Sequence, residues 1–318
     1  MGDVFISVRG RLILNVEALN MTESVGNYIK HRRVPIVIPE KEEGFTTYFV
    51  PAISGESVAH GFQRILADES VKNNIPVCKL CKTGIFLKST RKEVVKEAFG
   101  TLPKPNELEE FIIKNCFIED VGGFLYAEDE NIKRSSSFFV GYMIPVKESL
   151  GSIVIESQLH SRYALGTPFV KEQGQMIYYV ELSSAPYTFS FDFDSAYIGK
   201  LTFSYDSAGK NVLQEDERKN RLKIALDSIK TFILEQAFGA KKTRFLPNGE
   251  WDSIVIAVSD KPWTVTSPFS RNYIENTVKK KEKINYNTNL YIYKSDEGSF
   301  EETVINAIED AKNRILKW

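Results

Sequence analysis

Three histidines are the side chains of this chain best suited to move a proton near neutral pH. His31 stands in a basic run, His60 follows a Ser-Gly-Glu-Ser segment, and His160 lies in a segment that alternates apolar and polar residues. Because imidazole titrates at about pH 6.5, such residues serve as general acids and bases in hydrolytic enzymes. No recognisable second catalytic partner accompanies them, so a structural or phosphate-contacting role is the alternative for each.

The cysteines form one CxxC pair, Cys78 and Cys81, with a third cysteine at position 116. A structural zinc site needs four ligands, commonly from two such clusters. The remaining candidates are Cys116 and the three histidines, and none has the spacing of a second cluster. The sequence therefore predicts unligated thiols and no metal. Three cysteines are also too few for a disulfide framework.

A basic run and a helix start suggest a site for anions. Residues 30–33 read Lys-His-Arg-Arg, and the segment 50–64 enters a helix through Ser54 and Gly55. Serine is a good N-cap, glycine allows close approach of a ligand to the backbone, and free amides at a helix N-terminus attract anions. These features predict a surface that holds a phosphate backbone. A solvated loop followed by an ordinary cap is the alternative.

Composition limits how such a surface is built. The chain has 318 residues, 42% of them hydrophobic, and 41 basic residues against 42 acidic ones. Nucleic-acid binders are often basic overall, so an RNA surface here requires segregated charge, as in the basic runs 30–33, 241–244 and 279–283. No apolar run approaches the roughly 20 residues that span a bilayer, and no secretory signal is visible. A cytoplasmic protein with no membrane contact is expected.

Periodicity predicts the elements that position these residues. Residues 4–16 alternate as a half-buried strand, with Val16 on the buried face, and 20–33 reads as a polar loop. Helices are predicted over 55–68 and 215–238, the second with Leu226 and Ile229 in its buried stripe and followed by a basic loop. The other predicted elements are an extended segment 34–50, helices 91–99 and 107–115, strands 137–145, 153–162, 176–194 and 254–258, and a C-terminal helix entered through a capping box at 299–302.

Several motifs, in order, resemble the CRISPR-associated DevR family, and most closely its archaeal type I-A version. They are Asn15–Asn20, Glu23–Asn27, Lys30–Arg32, Ile53–His60, Asp120–Ala127 and Val140–Pro145. The resemblance ends near Pro247, and the segment after Trp263 is unmatched.

The resemblance implies an α+β fold with a ferredoxin-like (RRM-type) palm and inserted finger and thumb subdomains. The expected division of this single elaborated domain is a palm of residues 1–69, 136–162 and 176–262, a finger of 70–135, a thumb of 163–175 and a C-terminal extension of 263–318.

The resemblance also implies a function: the backbone subunit of a Cascade surveillance complex in antiviral defence. Such a subunit holds guide RNA (crRNA) with little regard to base sequence, and copies polymerise head-to-tail into a helical filament that presents the guide to target DNA. The expected partners are crRNA, target DNA, copies of itself, a smaller repeat-associated Cascade subunit and a helicase-nuclease. No catalytic activity and no cofactor are expected.

The predicted RNA contacts combine cations for phosphates, small polar groups for sugars and phosphates, and an apolar wedge at the thumb that displaces bases. They are Asn20, Thr22, Ser24, Asn27, Lys30, His31, Arg32, Ser54, Gly55, Ser57, His60, Gln63, Arg64, Lys133, Arg134, His160, Arg162, Phe169, Lys241, Lys242 and Arg244.

Two other function classes remain open. A repeat-associated RNA endonuclease would use the histidines as acid and base. Some relatives in other CRISPR types cut RNA with an acidic residue on an early loop, where this chain offers Glu17 and Glu23 but no convincing aspartate. A protein-only scaffold or regulator is the third class, although no helix-turn-helix pattern with a basic recognition helix appears.

Overall fold

A computed structural model describes residues 2–40, 43–128, 130–164 and 174–316. Within them, the side chains of 162–164 and 174–176 are outside the description, although their backbone is placed in strands. The predicted contact Phe169 and most of the predicted thumb 163–175 therefore lie outside the described residues, as does the side chain of Arg162.

Along the described residues, five strands come first, followed by five helices, five more strands and a mixed C-terminal part. The strands are β1 (Phe5–Glu17), β2 (Met21–Val25), β3 (Tyr28–His31), β4 (Arg33–Pro39), β5 (Phe45–Pro51), β6 (Phe124–Tyr126), β7 (Ile132–Arg134), β8 (Phe138–Val140), β9 (Val154–Ala164), β10 (Gly174–Asp194), β11 (Asn248–Ser259) and β12 (Thr288–Lys294). The helices are α1 (Gly55–Lys72), α2 (Lys79–Lys82), α3 (Lys92–Phe99), α4 (Pro105–Asn115), α5 (Phe117–Gly122), α6 (Glu215–Leu234), α7 (Lys242–Phe245), α8 (Tyr273–Lys281) and α9 (Phe300–Leu316).

One mixed sheet organises the molecule, in the order β12-β11-β1-β10-β3-β2, with β8 and β9 also paired to β10. The strands β11, β1, β10 and β8 are antiparallel neighbours, whereas β3 pairs with β10 in parallel. The predicted α+β fold class is confirmed.

The central strand β1 follows the predicted alternation for most of its length. Ile6, Val8 and Leu12 are fully buried. A register shift between Leu14 and Glu17 then reverses the pattern, and Val16 adopts a positive φ of 56°. The prediction that Val16 is buried is therefore wrong: it is 55% exposed, and Glu17 points inward instead. Since a bulge redirects side chains, it is what brings a carboxylate into the core.

Helices α1, α6 and α9 cover one face of the sheet. α1 and α6 pack on β10, where the ring of Phe62 lies 5.0 Å from that of Phe191 and 5.8 Å from that of Phe232. α9 packs on β11 and β12. The amphipathic spacing of the two long predicted helices is confirmed, and so is the N-cap, because the Ser54 hydroxyl accepts a hydrogen bond from the Ser57 amide.

The C-terminal segment completes this architecture. β12 extends the sheet by pairing with β11, and α9 packs beside α6. On the opposite face of β11, Trp263 and Tyr273 cover Val255 and Ala257 in a second small core.

The segment 20–33 differs from the predicted loop. β2 and β3 form a hairpin, and β3 joins the main sheet beside β10 through Tyr28 and Ile29. β4 and β5 form a second hairpin outside the main sheet. The polar side chains of β2 hid its strand character, because the strand exposes both its faces at the edge of the sheet.

Between α1 and β8 lies a compact helical region. It contains α2, α3, α4 and α5 and the short β6–β7 ribbon, and it includes both helices predicted there. Across the described residues, no helix combines the length and the apolar character that crossing a membrane demands.

The helical layer gives a direct test of the core. Leu226 and Ile229 are fully buried. Replacing either with alanine is expected to lower the free energy of unfolding by about 2–5 kcal/mol, measured by chemical denaturation, because a cavity replaces lost contacts. The matched control is Ile305→Ala on α9, where the side chain is 42% exposed. Equal decreases in the free energy of unfolding at the buried and exposed positions would contradict the packing described.

Candidate nucleic-acid interface

The basic segment 239–245 crosses the end of β1 through an unusual backbone path. Gly239 has a φ of +85°, and a Cβ there would lie 2.7 Å from the Cβ of Leu19. Lys241 also adopts a left-handed conformation, with φ 57°, before α7 begins. Because only glycine fits so close a crossing, this position fixes where the following cations lie.

One groove lies on the side of this segment that faces the β2–β3 hairpin. It encloses about 490 Å³, and we call it the hairpin groove. Its lining combines residues of the β2–β3 hairpin, residues of β10 and residues of the basic segment. The lining residues are Gly26, Asn27, Ile29, Ile177, Tyr178, Val180, Lys241, Thr243, Arg244 and Phe245. Predicted contacts from two distant parts of the sequence therefore meet here: Asn27 from one, and Lys241 and Arg244 from the other.

Aromatic rings stand beside the cations of the hairpin groove. His160 stacks on Tyr178 with ring centroids 5.3 Å apart, and it meets Phe245 edge-on at 5.4 Å. Tyr178 and Phe245 are half-buried and line the groove itself, and aromatic rings in such a position are suited to stacking against bases. Sequence reasoning missed both residues, although the alternation of the strand 176–194 was a signal for Tyr178.

A second groove lies on the opposite side of the same segment, against α1. It encloses about 420 Å³, and we call it the helix groove. Predicted contacts from the helix line it together with one cation of the basic segment. The lining residues are Ser57, His60, Gly61, Arg64, Ile65, Ala237, Phe238, Gly239, Ala240 and Lys242.

The helix groove depends on close approach of α1 to the segment that follows α6. A Cβ at Gly61 would lie 2.1 Å from the carbonyl oxygen of Ala237. Since a side chain at position 61 would force the two backbones apart, glycine is what allows α1 to bring His60 and Arg64 beside Lys242.

Asn20 links the elements that carry the two grooves. Its side-chain oxygen accepts hydrogen bonds from the Ser54 amide at 2.6 Å and from Arg32 Nε at 3.1 Å. The neighbouring Leu19 carbonyl accepts from the Ala240 amide at 2.9 Å. The short segment between β1 and β2 thereby ties the start of α1, the β3–β4 junction and the basic segment together.

The cations of the basic segment lack neutralising partners. Among residues 2–40, 43–128, 130–164 and 174–316, neither Lys241 nor Arg244 forms an ion pair with a carboxylate, and Lys242 Nζ donates to the Gln236 carbonyl at 2.6 Å. Burial, and then the charge of Arg244, lower the pKa of Lys241, and burial lowers the pKa of Lys242. Crowded positive charge of this kind is stabilised by a bound anion.

His31 lies in the interior and not on the predicted RNA surface. Its side chain is fully buried, and Nε2 lies 2.5 Å from Glu17 Oε1. The same oxygen accepts from the hydroxyl of Tyr187 at 2.9 Å. This corrects the prediction of a phosphate contact: the bulge in β1 supplies an inward carboxylate, which holds the imidazole inside. Glu17 is likewise not available as the acidic residue of a nuclease.

The Glu17–His31 pair makes stability depend on pH. Burial opposes the charged imidazole, but the hydrogen bond and charge of Glu17 outweigh it, so the pKa of His31 is raised above its ordinary 6.5. The stabilisation is fully present below pH 6.5 and is lost as pH rises through the raised pKa. The advantage in unfolding free energy of the wild type over His31→Gln is therefore expected to shrink above pH 6.5, measured by denaturation at several pH values.

The control for this prediction is His60→Gln, because His60 is exposed on α1. Its stability difference from the wild type should stay flat over the same range. A His31→Gln difference that grew with pH would contradict a charged, paired imidazole.

Two more predicted contacts are buried. Gln63 is 1% exposed on the inner side of α1, and a Cβ on Gly122 would lie 2.2 Å from its Nε2. Arg134 is 4% exposed and pairs with Asp120 at 2.5 Å and with Glu109 at 3.2 Å. Both side chains are committed to the interior, which corrects their assignment to the RNA surface.

Most other predicted contacts are accessible but lie outside the two grooves. Lys30 is half-buried and 3.6 Å from the carboxylate of Glu23, and Lys133 is exposed on β7. Thr22 and Ser24 are exposed on β2, whereas Ser54 and Gly55 are buried at the start of α1, where Ser54 acts as its cap.

The three cysteines come together in the helical region. The Sγ atoms of Cys78, Cys81 and Cys116 lie within 4.8 Å of one another. Spacing alone did not predict that Cys116 would meet the CxxC pair; the chain reversal between α2 and α5 brings it there.

Comparisons with known proteins point to one family. The family model described as "CRISPR-associated negative auto-regulator DevR/Csa2" matches residues 8–278. "CRISPR-associated aCascade subunit Cas7/Csa2 2" of Saccharolobus solfataricus is 34% identical over 318 residues, covering 96% of this chain and 97% of that protein. "CRISPR-associated protein Cas7/Csa2 1" of the same organism is 35% identical over 269 residues, covering 83% and 82%.

A solved structure shares the fold. A chain described as "CRISPR RNA-guided surveillance complex, pre-nicking" superposes with a TM-score of 0.52 and 8% identity, covering 96% of this chain and 99% of that chain.

Proposed function

Because the chain belongs to the DevR/Csa2 family of CRISPR-associated proteins, we propose that it is a Cas7-type Cascade subunit that holds guide RNA by its sugar-phosphate backbone. The observation that carries the proposal is a convergence: cations of the basic segment, which have no carboxylate partner among the described residues, meet the β2–β3 hairpin in one groove and α1 in the other. A path with cations at its centre and grooves on both sides suits an extended polyanion.

Recognition of this kind would be nearly independent of base sequence. Phosphates carry no base identity, and the rings of Tyr178 and Phe245 offer stacking faces that suit any base. In the assembly, pairing between guide and target supplies recognition of target DNA, and the protein supplies the track. A subunit that must hold any guide sequence requires that base pairing, and not the protein, reads the target.

The palm is proposed to be ferredoxin-like. Support comes from the antiparallel order β11-β1-β10-β8 and from the placement of α1 after β1 and of α6 after β10. The helical region between α1 and β8 would be the finger, and the residues that connect β9 to β10 would belong to the thumb. The C-terminal part would extend the palm through β12 and α9.

Assembly is proposed to be head-to-tail in the cytoplasm. A contact that joins different surfaces of identical subunits and does not close produces a helical filament. Copies of this chain, crRNA and target DNA would be joined by a smaller repeat-associated Cascade subunit and a helicase-nuclease.

The test is binding to several labelled single-stranded RNAs of guide length and unrelated sequence. Affinities that agree within a few-fold and fall steeply with salt are expected. Absence of binding, or strong preference for one sequence, would overturn the proposal.

A repeat-associated endonuclease is the alternative, and the positions of the histidines do not favour it. His31 is paired with Glu17, His60 lines the helix groove, and His160 stacks beside the hairpin groove. Incubating the same RNAs with and without magnesium should yield no products. Products that vanish on His160→Ala would establish an RNA-cleaving enzyme instead.

A further inference from the structure

A buried cluster of thiols lies in the helical region, between the start of α2 and the junction of α4 and α5. Cys78 caps the N-terminus of α2, Cys81 lies in that helix, and Cys116 occupies the junction of α4 and α5. Their Sγ atoms lie within 4.8 Å of one another, and the residues are 4%, 0% and 0% exposed. Three thiols from two distant segments thus point at one spot inside the protein.

A carboxylate lies beside the three thiols. Glu119, one turn after Cys116, accepts a hydrogen bond at Oε1 from the Cys81 thiol over 2.9 Å. Its other oxygen, Oε2, is buried and has no hydrogen-bond partner within the described chain. Leaving a carboxylate oxygen unpaired in the interior is costly, and a metal ion bound among the thiols would offset that cost.

The surroundings are arranged as a metal site requires. The Cys81 amide donates to the Sγ of Cys78 at 3.4 Å and orients that ligand. The Leu87 amide donates to Glu119 Oε1 at 2.9 Å and orients the carboxylate. The nearby ammonium of Lys88 is held by the Gly122 carbonyl at 2.6 Å. Such outer partners orient ligands and offset the excess negative charge of a thiolate set.

We propose that Cys78, Cys81, Cys116 and Glu119 bind one structural zinc ion. Three thiolates and one carboxylate make a four-coordinate set, and soft sulfur ligands select zinc over magnesium or calcium. On binding, each thiol that is still protonated releases its proton to solvent. Because all four ligands come from the protein and are buried, the site is closed and has a structural role.

The ion would join the start of the helical region to its end. The CxxC pair lies just after α1, and Cys116 and Glu119 lie 35 or more positions later, beyond α3 and α4. Cross-linking these two ends would stabilise a region whose helices are short, since α2 has 4 residues and α3 has 8.

The first experiment measures metal in the full chain. Protein expressed in zinc-supplemented medium and purified without chelator should contain about one zinc per chain by elemental analysis. Cys81→Ser and Cys116→Ser should lose most of it, and Glu119→Gln should bind it more weakly. Glu107→Gln, an exposed acidic residue on α4, is the matched control and should keep the full content.

A second measurement keeps the proposal testable if the cysteine variants do not fold. Wild-type protein exchanged into cobalt should show thiolate-to-cobalt charge transfer and the visible bands of a tetrahedral site, and chelation should lower its melting temperature. Wild type with far less than one metal per chain and no tetrahedral cobalt spectrum would overturn the site. So would mass spectrometry showing a Cys78–Cys81 disulfide in the native protein.

Discussion

Replacing Lys241 and Arg244 with alanine is expected to weaken RNA binding and to reduce its dependence on salt. Both cations line the hairpin groove, and within the described residues neither has a carboxylate partner that would need reorganisation. Each lost phosphate contact should flatten the slope of log affinity against log salt by about 0.7 on single strands. The affinity itself should fall about tenfold per contact, the value of one charge-assisted hydrogen bond.

Filter binding or fluorescence anisotropy across a salt series measures both quantities. The matched control is Lys279→Ala with Lys281→Ala, which removes the same charge from the exposed end of α8. The control variant should keep the slope, and both variants should unfold like the wild type. An unchanged slope in the Lys241 and Arg244 variant would mean that the basic segment does not touch the RNA backbone.

Arg134→Ala is expected to lower the free energy of unfolding by about 3–5 kcal/mol, a large part of the stability of a typical domain. The guanidinium pairs with Asp120 and Glu109 and donates to the carbonyls of Tyr197 and Lys200 at 2.8 and 2.7 Å. Burial raises the pKa of Asp120, against the opposing effect of Arg134 and Arg221. Removing Arg134 leaves two buried carboxylates short of a partner.

Lys133→Ala is the matched control, because the neighbouring side chain is exposed on the same strand. It should change stability by less than about 0.5 kcal/mol in chemical denaturation. If Arg134→Ala instead unfolded like the wild type and bound RNA poorly, Arg134 would contact RNA after all.

The local elements were predictable from sequence, because periodicity and capping operate over a few residues. The helices α1 and α6 follow from the spacing of apolar residues such as Leu226, and the N-cap follows from Ser54 alone. The joining of Lys241 with Asn27 could not be derived this way, because it depends on the crossing at Gly239 and on the sheet order.

The errors share a physical cause. His31 and Arg134 are charged residues that sequence reasoning places at the surface by default. Each is buried because a carboxylate remote in sequence meets it, Glu17 through a bulge and Asp120 through the helical region. The contact of Cys116 with the CxxC pair was likewise missed, because these residues meet only in the folded chain. Pairings between residues 14 or more positions apart leave no local pattern, so they emerge only when the chain is folded.

The length of β10 has a mechanical consequence. Its last residues are clamped between β1 and β8 at the centre of the sheet, and its first residues pair with β9 in the projecting hairpin. The same strand therefore connects the outer end of this hairpin to the middle of the sheet, with no loop between them. The distance from the sheet to the hairpin's outer end is set by the length of one strand, so it would be the same in every copy of the chain.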